Sequence, residues 1–151
     1  ALGSFYTYFD SKDEIFTALV RDMSSAVARH AAAAITPDAD TLERERQALT
    51  AFLGFAREHK ELYRIIDEAE FADPASYRNH YETTAKRIAV RLDAGVAAGD
   101  IAAGDNEVRA WAIMGMNVFL GLRYGVWDGS RDADEIARIA NDFIADGMRH
   151  R

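Results

Sequence analysis

The chain has 151 residues, 49% of them hydrophobic and 28% charged, a composition that excludes a disordered or low-complexity protein and leaves material for one sizeable core. It contains no cysteine, which excludes a disulfide framework and thiolate metal sites and fits a reducing, cytoplasmic location. The formal net charge of -7 counts against DNA binding only as an average, because affinity for DNA comes from Lys and Arg placed at phosphates rather than from the sum over the chain.

In chain order, the sequence predicts helices throughout. Ser11 and Glu14 have the Ser-x-x-Glu spacing of a capping box, so a helix is expected from Lys12 to about Ala34, with Ile15, Phe16, Leu19, Met23, Ala26 and Val27 on its apolar face. Thr36-Pro37-Asp38-Ala39-Asp40 ends it. A second helix is expected from Thr41 to Glu58, turning Leu42, Leu49, Phe52, Leu53 and Ala56 inward and the run 43–46 outward. A third is expected from Glu61 to Phe71. Asp73 followed by Pro74 is a helix start with a mechanism, since the carboxylate caps and proline lacks an N–H that would be unpaired there. That fourth helix should stop at Gly99. Asp105 should cap a fifth running to about Trp127, and Asp132 with Glu135 a sixth ending near Met148.

The fifth helix carries an uncharged run from Ala110 to Leu122, too short for a bilayer, which needs about 20 apolar residues. Its apolar residues circle the cylinder, so more than one face must be covered. The sixth helix offers a matching stripe, and together they are candidates for a symmetric four-helix dimer interface through Phe119, Trp127, Ile136, Ile139, Ala140, Phe143 and Ile144.

Catalytic patterns are missing. There is no Gly-x-Ser-x-Gly elbow, phosphate-cradling glycine loop or His-Glu-x-x-His helix, so no enzyme activity is expected. The four histidines are scattered without ligand spacing, and neither a metal nor another cofactor is expected. Asp67, Glu68 and Glu70 form a carboxylate cluster that reads as a solvated face. Tyr63, Phe71, Tyr77, Tyr81, Trp111, Met114 and Asn117 combine aromatic surface with a few polar tips and come from successive helices. They are candidate lining for a small-molecule cavity, with core packing as the alternative for each. Asn117 stands out because an amide in an otherwise apolar helix needs a hydrogen-bond partner.

The most specific stretch is residues 3–16, Gly-Ser-Phe-Tyr-Thr-Tyr-Phe-Asp-Ser-Lys-Asp-Glu-Ile-Phe. It resembles the second half of the helix-turn-helix signature of TetR-family transcriptional regulators. The segments 62–74 and 121–128 also resemble parts of the sensing domains of that family. The resemblance implies an all-α fold, a remnant of a helix-turn-helix followed by a TetR-like helical bundle. It further implies a partial DNA-binding domain with its connecting helix over 1–30 and an effector-binding and dimerisation domain over 31–151. The chain enters the motif midway, and the start of the DNA-binding domain is expected upstream. By the same resemblance Ser4 would lie toward base edges while Tyr6, Tyr8 and Lys12 would contact phosphates, although both tyrosines could instead be packing aromatics. The implied function is a homodimeric repressor released from operator DNA by a small-molecule effector, with no membrane partner. The competing expectation is a helical small-molecule-binding or scaffold dimer that does not bind DNA.

Overall fold

The computed structural model describes residues 11–148, and all regular structure among them is helical. Six helices follow one another: α1 (Lys12–Ala34), α2 (Thr41–Glu58), α3 (Glu61–Ala72), α4 (Pro74–Ala98), α5 (Asn106–Gly121) and α6 (Ala133–Met148). The fifth expected helix divides. Its last turns, Leu122–Trp127, are π-helical, and the Asp128 amide reaches back to the Arg123 carbonyl at 3.1 Å. The wider turn sets buried Gly125 against Ala56 of α2.

Side-chain caps define the helix starts except that of α3. Ser11, Asp40, Asp73, Asp105 and Asp132 each accept a bond from the backbone N–H three residues on, at 2.8 to 3.2 Å. α4 ends where Gly99 takes a left-handed conformation (φ 82°), which costs a residue without Cβ little.

Three groups of buried side chains hold the helices together. Val20 and Met23 of α1 pack with Phe55 of α2 and with Leu62, Ile66 and Ala69 of α3. Leu49 and Leu53 of α2 pack with Ile136, Ala137 and Ala140 of α6. Ile88 and Leu92 of α4 meet Ile113 and Met114 of α5 and Ile144 and Met148 of α6. Leu53 and Leu92 are wholly enclosed, so shortening either to alanine should cost about 2–5 kcal/mol.

On α1 and α2 two side chains depart from the helix faces expected of them. Leu19 is 40% exposed, and Val20, one residue on, takes the buried position on α1. Glu45, placed outward with the run 43–46, is only 3% exposed and is paired with Arg91 of α4. The row Leu42, Glu45, Leu49, Phe52 follows the three- and four-residue spacing of one helix face, so a charge on that row must point inward.

Candidate functional site

The site is built on α1 and α4, which lie side by side in parallel. The Thr17 hydroxyl donates to Asp73 Oδ2 at 2.6 Å, and the Ser24 hydroxyl bonds His80 Nδ1 at 2.8 Å. Both bonds join residues 56 apart in sequence, so they fix one register over two helical turns. Continuing that register brings Ala28 and Ala31 level with Thr84 and Arg87. Alanine cannot fill the space that a larger side chain would, and the rear halves of the two helices stand open over a cavity of about 720 Å³. That size suits a drug-sized molecule.

Its wall draws on α1 to α5. Val27, Ala31, Ile35, Ala48, Phe52, Leu62, Ile66, Ile88, Met114 and Val118 make most of it apolar. The exposed members of the lining are Ala32, Thr36 and Pro37 about the end of α1, Asp67 of α3, and Lys86, Arg87 and Val90 of α4, and all but Asp67 place the mouth between the end of α1 and the middle of α4. Buried Glu45 receives two bonds from Arg91, Nε to Oε1 at 2.6 Å and Nη2 to Oε2 at 2.9 Å, a fork that satisfies both charges. The Tyr63 hydroxyl donates to the Val118 carbonyl at 2.5 Å. Gly121 makes room for this, because a Cβ there would run into the Tyr63 hydroxyl and the Phe52 ring.

Burial governs the titrating groups of the wall. It pushes the Tyr63 phenol well up and Tyr81 up to about 12, so both are neutral donors. Burial, helped by the Arg87 charge, pushes His80 down to about 4, so its ring is neutral. Asn117 lines the cavity, and its buried Oδ1 has no hydrogen-bond donor among the described residues.

Of the residues singled out as candidate lining, Tyr63, Tyr81, Met114 and Asn117 stand in the wall. Three do not. Tyr77 lies behind it, edge-on to Tyr81 with ring centroids 5.0 Å apart. Phe71, near the end of α3, is 83% exposed. Trp111 is 42% exposed, because on α5 it shares the row of Val108, Gly115 and Phe119, whereas Met114, Asn117 and Val118 form the row that faces inward.

The candidate dimer residues divide in the same manner. Phe119, Trp127, Ile139 and Phe143 are exposed by 71, 69, 47 and 73%. Ile136, Ala140 and Ile144 are buried within the protomer, the first two against α2 and the third in the group around Leu92, since the 136/140/144 row of α6 already faces its own core. Lys12 is exposed in the first turn of α1. Ser4, Tyr6 and Tyr8 lie outside the described residues.

The sequence reading passed over several groups that shape the site. These are the Ser24 to His80 bond, the Glu45 to Arg91 fork, the basic pair Lys86 and Arg87, and the alanines that open the cavity. Glu45 alone carried a signal, its place on an apolar row. Among the described residues no cluster of three or more His, Cys, Asp or Glu could hold a metal, and no helix is long and apolar enough to cross a membrane.

No family model matches the sequence, nor does any curated protein. Among solved structures the chain is similar to a bacterial regulatory protein of the tetR family from Rhodococcus RHA1. The match has a TM-score of 0.77 at 20% identity and covers 100% of this chain and 81% of the other. The chain has the TetR fold. A TetR-type arrangement accounts for the order of α1 to α6.

Proposed function

We propose that the chain is the sensing and dimerising part of a ligand-responsive DNA-binding transcriptional regulator, a repressor released from its operator by a small-molecule effector. The observation that carries this reading is the cavity whose wall includes His80, the residue bonded to Ser24 of α1. α1 is the helix that the signature at residues 3–16 leads into, so an occupant of the cavity acts on the element joined to the DNA-reading motif. Effector binding favours one setting of α1 against α4, and two reading heads set apart in a dimer then match or miss successive major grooves. In this reading residues 1–30 belong to the DNA-binding part and 31–151 to the sensing part, with Ser4, Tyr6, Tyr8 and Lys12 at the DNA. It assigns the protein to the cytoplasm and gives it no catalytic role.

The homodimer is supported by the apolar side chains that α5, the π-helical turn and α6 leave exposed. Phe119, Trp127, Ile139 and Phe143 are large apolar side chains left to solvent, the kind of surface a second copy would cover. Light scattering should give twice the chain mass at micromolar concentration, and Phe143→Arg should shift it to the monomer mass.

The regulator is tested by selection from a random duplex DNA library, using protein expressed from the full reading frame that contains this segment. Enrichment of a two-fold-symmetric sequence, reversed by a compound that occupies the cavity, is the expected result. A dimer that binds the compound and enriches no sequence would leave a helical small-molecule-binding protein in place of the regulator.

A further inference from the structure

We infer that the cavity takes an apolar monoanion, a molecule with an aliphatic or aromatic body and a single carboxylate head held at the mouth. The inference rests on the sensing role proposed above and adds the chemical class of the effector. Its first support is the distribution of charge. The chain as a whole is acidic, at -7, yet the cavity is lined by Arg44, Lys86, Arg87 and Arg91 against only Glu45 and Asp67. Arg91 is neutralised by its fork with Glu45. Arg44 donates from Nε to the Ala39 carbonyl at 2.8 Å and from Nη2 to the Pro37 carbonyl at 3.0 Å, and neither bond balances its charge with a carboxylate. Lys86 and Arg87 form no ion pair or hydrogen bond with the other described residues.

The second support is position. Lys86 and Arg87 are exposed on the flank of α4 that borders the mouth, and Arg44 stands across the opening beside Pro37. Asp38 and Asp40, in the same loop as Pro37, do not line the cavity, and Asp40 is engaged as the cap of α2. Asp67, the remaining carboxylate of the wall, lies on α3 one turn from Tyr63 and acts on the Tyr63 and Tyr81 side of the cavity. A carboxylate at the mouth therefore meets two free cations, while its apolar body covers Val27, Phe52, Ile88 and Met114. An amine at the same place would meet like charge, and an alcohol could accept from the two cations but would bring no opposite charge to them.

Calorimetric titration of the full chain with octanoate, octanol and octylammonium, and with naphthylacetate, naphthylethanol and naphthylethylamine, varies the head on two fixed bodies. In at least one series the acid should bind about tenfold tighter than the alcohol, the size expected of a charge-assisted bond at a partly open site, with the amine weakest. Lys86→Gln combined with Arg87→Gln should bring the acid down to the affinity of the alcohol and leave the alcohol unchanged. Arg78→Gln, which removes a cation of α4 that does not line the cavity, should change neither. If alcohol or amine binds as tightly as the acid, the carboxylate assignment is overturned while the sensing role stands. If no member of either series binds, both fall.

Discussion

The two halves of the α1 and α4 pair differ in what lies between them. At the front, Thr17 to Asp73 and Ser24 to His80 are direct polar bonds in one register, and Val20 and Met23 fill the layer behind them. At the rear the register continues, but Ala28 and Ala31 replace the side chains that would close the gap, and the space becomes a cavity. One helix pair is thus closed at one end and open at the other. α1 and α4 are both continuous helices through the two halves, and the side chains between them are smaller at the rear.

The largest effect should come from the rear, where a buried charge depends on its partner. Glu45→Ala leaves the Arg91 guanidinium in the wall without a carboxylate, and breaking a buried pair from one side costs about 3–5 kcal/mol. Arg91 is itself 25% exposed, so water recovers part of this and about 3 kcal/mol is expected in urea denaturation. A loss under about 1 kcal/mol would mean that the fork adds nothing to the closed wall, and the rear would be held by apolar packing alone.

The front should respond to pH. His80 is held neutral, with its pKa at about 4 against an ordinary value of 6.5. As pH falls the unfolded chain takes up this proton first. The stability due to neutral His80 is therefore whole above pH 6.5, declines through the window below it, and is lost under pH 4. Between about pH 6.5 and pH 4.5 the loss should be about 2 kcal/mol, and His80→Gln should remove that part of the slope while keeping a side chain that can bond Ser24. Asp73, held low by its bonds to Ser76 and Thr17, adds an acid-dependent loss of its own, so the difference between wild type and variant is the quantity to read. Equal slopes would show that the ring is hydrated, and the front would be no tighter than the rear.

The contrast also explains what was legible in the sequence. Capping residues, the Asp73-Pro74 start and the Gly99 stop each act on their own backbone, so the helix bounds could be read within a residue or two. The division of α5 at Leu122 could not, because the π-helical turn depends on Gly125 meeting Ala56 from another helix. Which row of α6 faces inward is likewise decided by α2, and so Ile136 and Ala140 went to the core while Phe143 stayed exposed. Most of the cavity wall was missed for a related reason. Aromatic and amide residues attract notice, whereas a cavity is made by what is small, and the alanines of α1 acquire meaning only once α4 is set beside them.

Ala31→Phe converts the rear half into a copy of the front. The ring would occupy the mouth at the level of Arg87, burying apolar surface where there is now space, and a stability gain of up to about 1 kcal/mol is expected. Ligand affinity measured by calorimetry should fall about tenfold or more, because the body of the ligand and the new ring compete for one volume. Stability that drops by more than about 1 kcal/mol would place Ala31 in tight packing and move the mouth elsewhere.

Thr17→Val should have the smallest effect, and it tests whether the two front bonds are equivalent. The Thr17 to Asp73 bond is short, at 2.6 Å, yet Asp73 keeps its cap on Ser76 and has water within reach, so losing the hydroxyl strands no buried group. The expected cost is about 0.5 kcal/mol by urea denaturation, below the roughly 1.5–3 kcal/mol of a hydrogen bond to a charged group because water replaces the lost hydroxyl. Ser24→Ala, by contrast, removes the partner of a buried ring nitrogen and should cost about 1–2 kcal/mol. Ser24 also touches the residue that forms part of the cavity wall, and Thr17 does not. Ligand affinity should therefore be unchanged in Thr17→Val and altered in Ser24→Ala. Equal changes in both variants would mean that the whole front of α1, and not the bond at His80, carries the link between the cavity and the helix leading to the residue 3–16 motif.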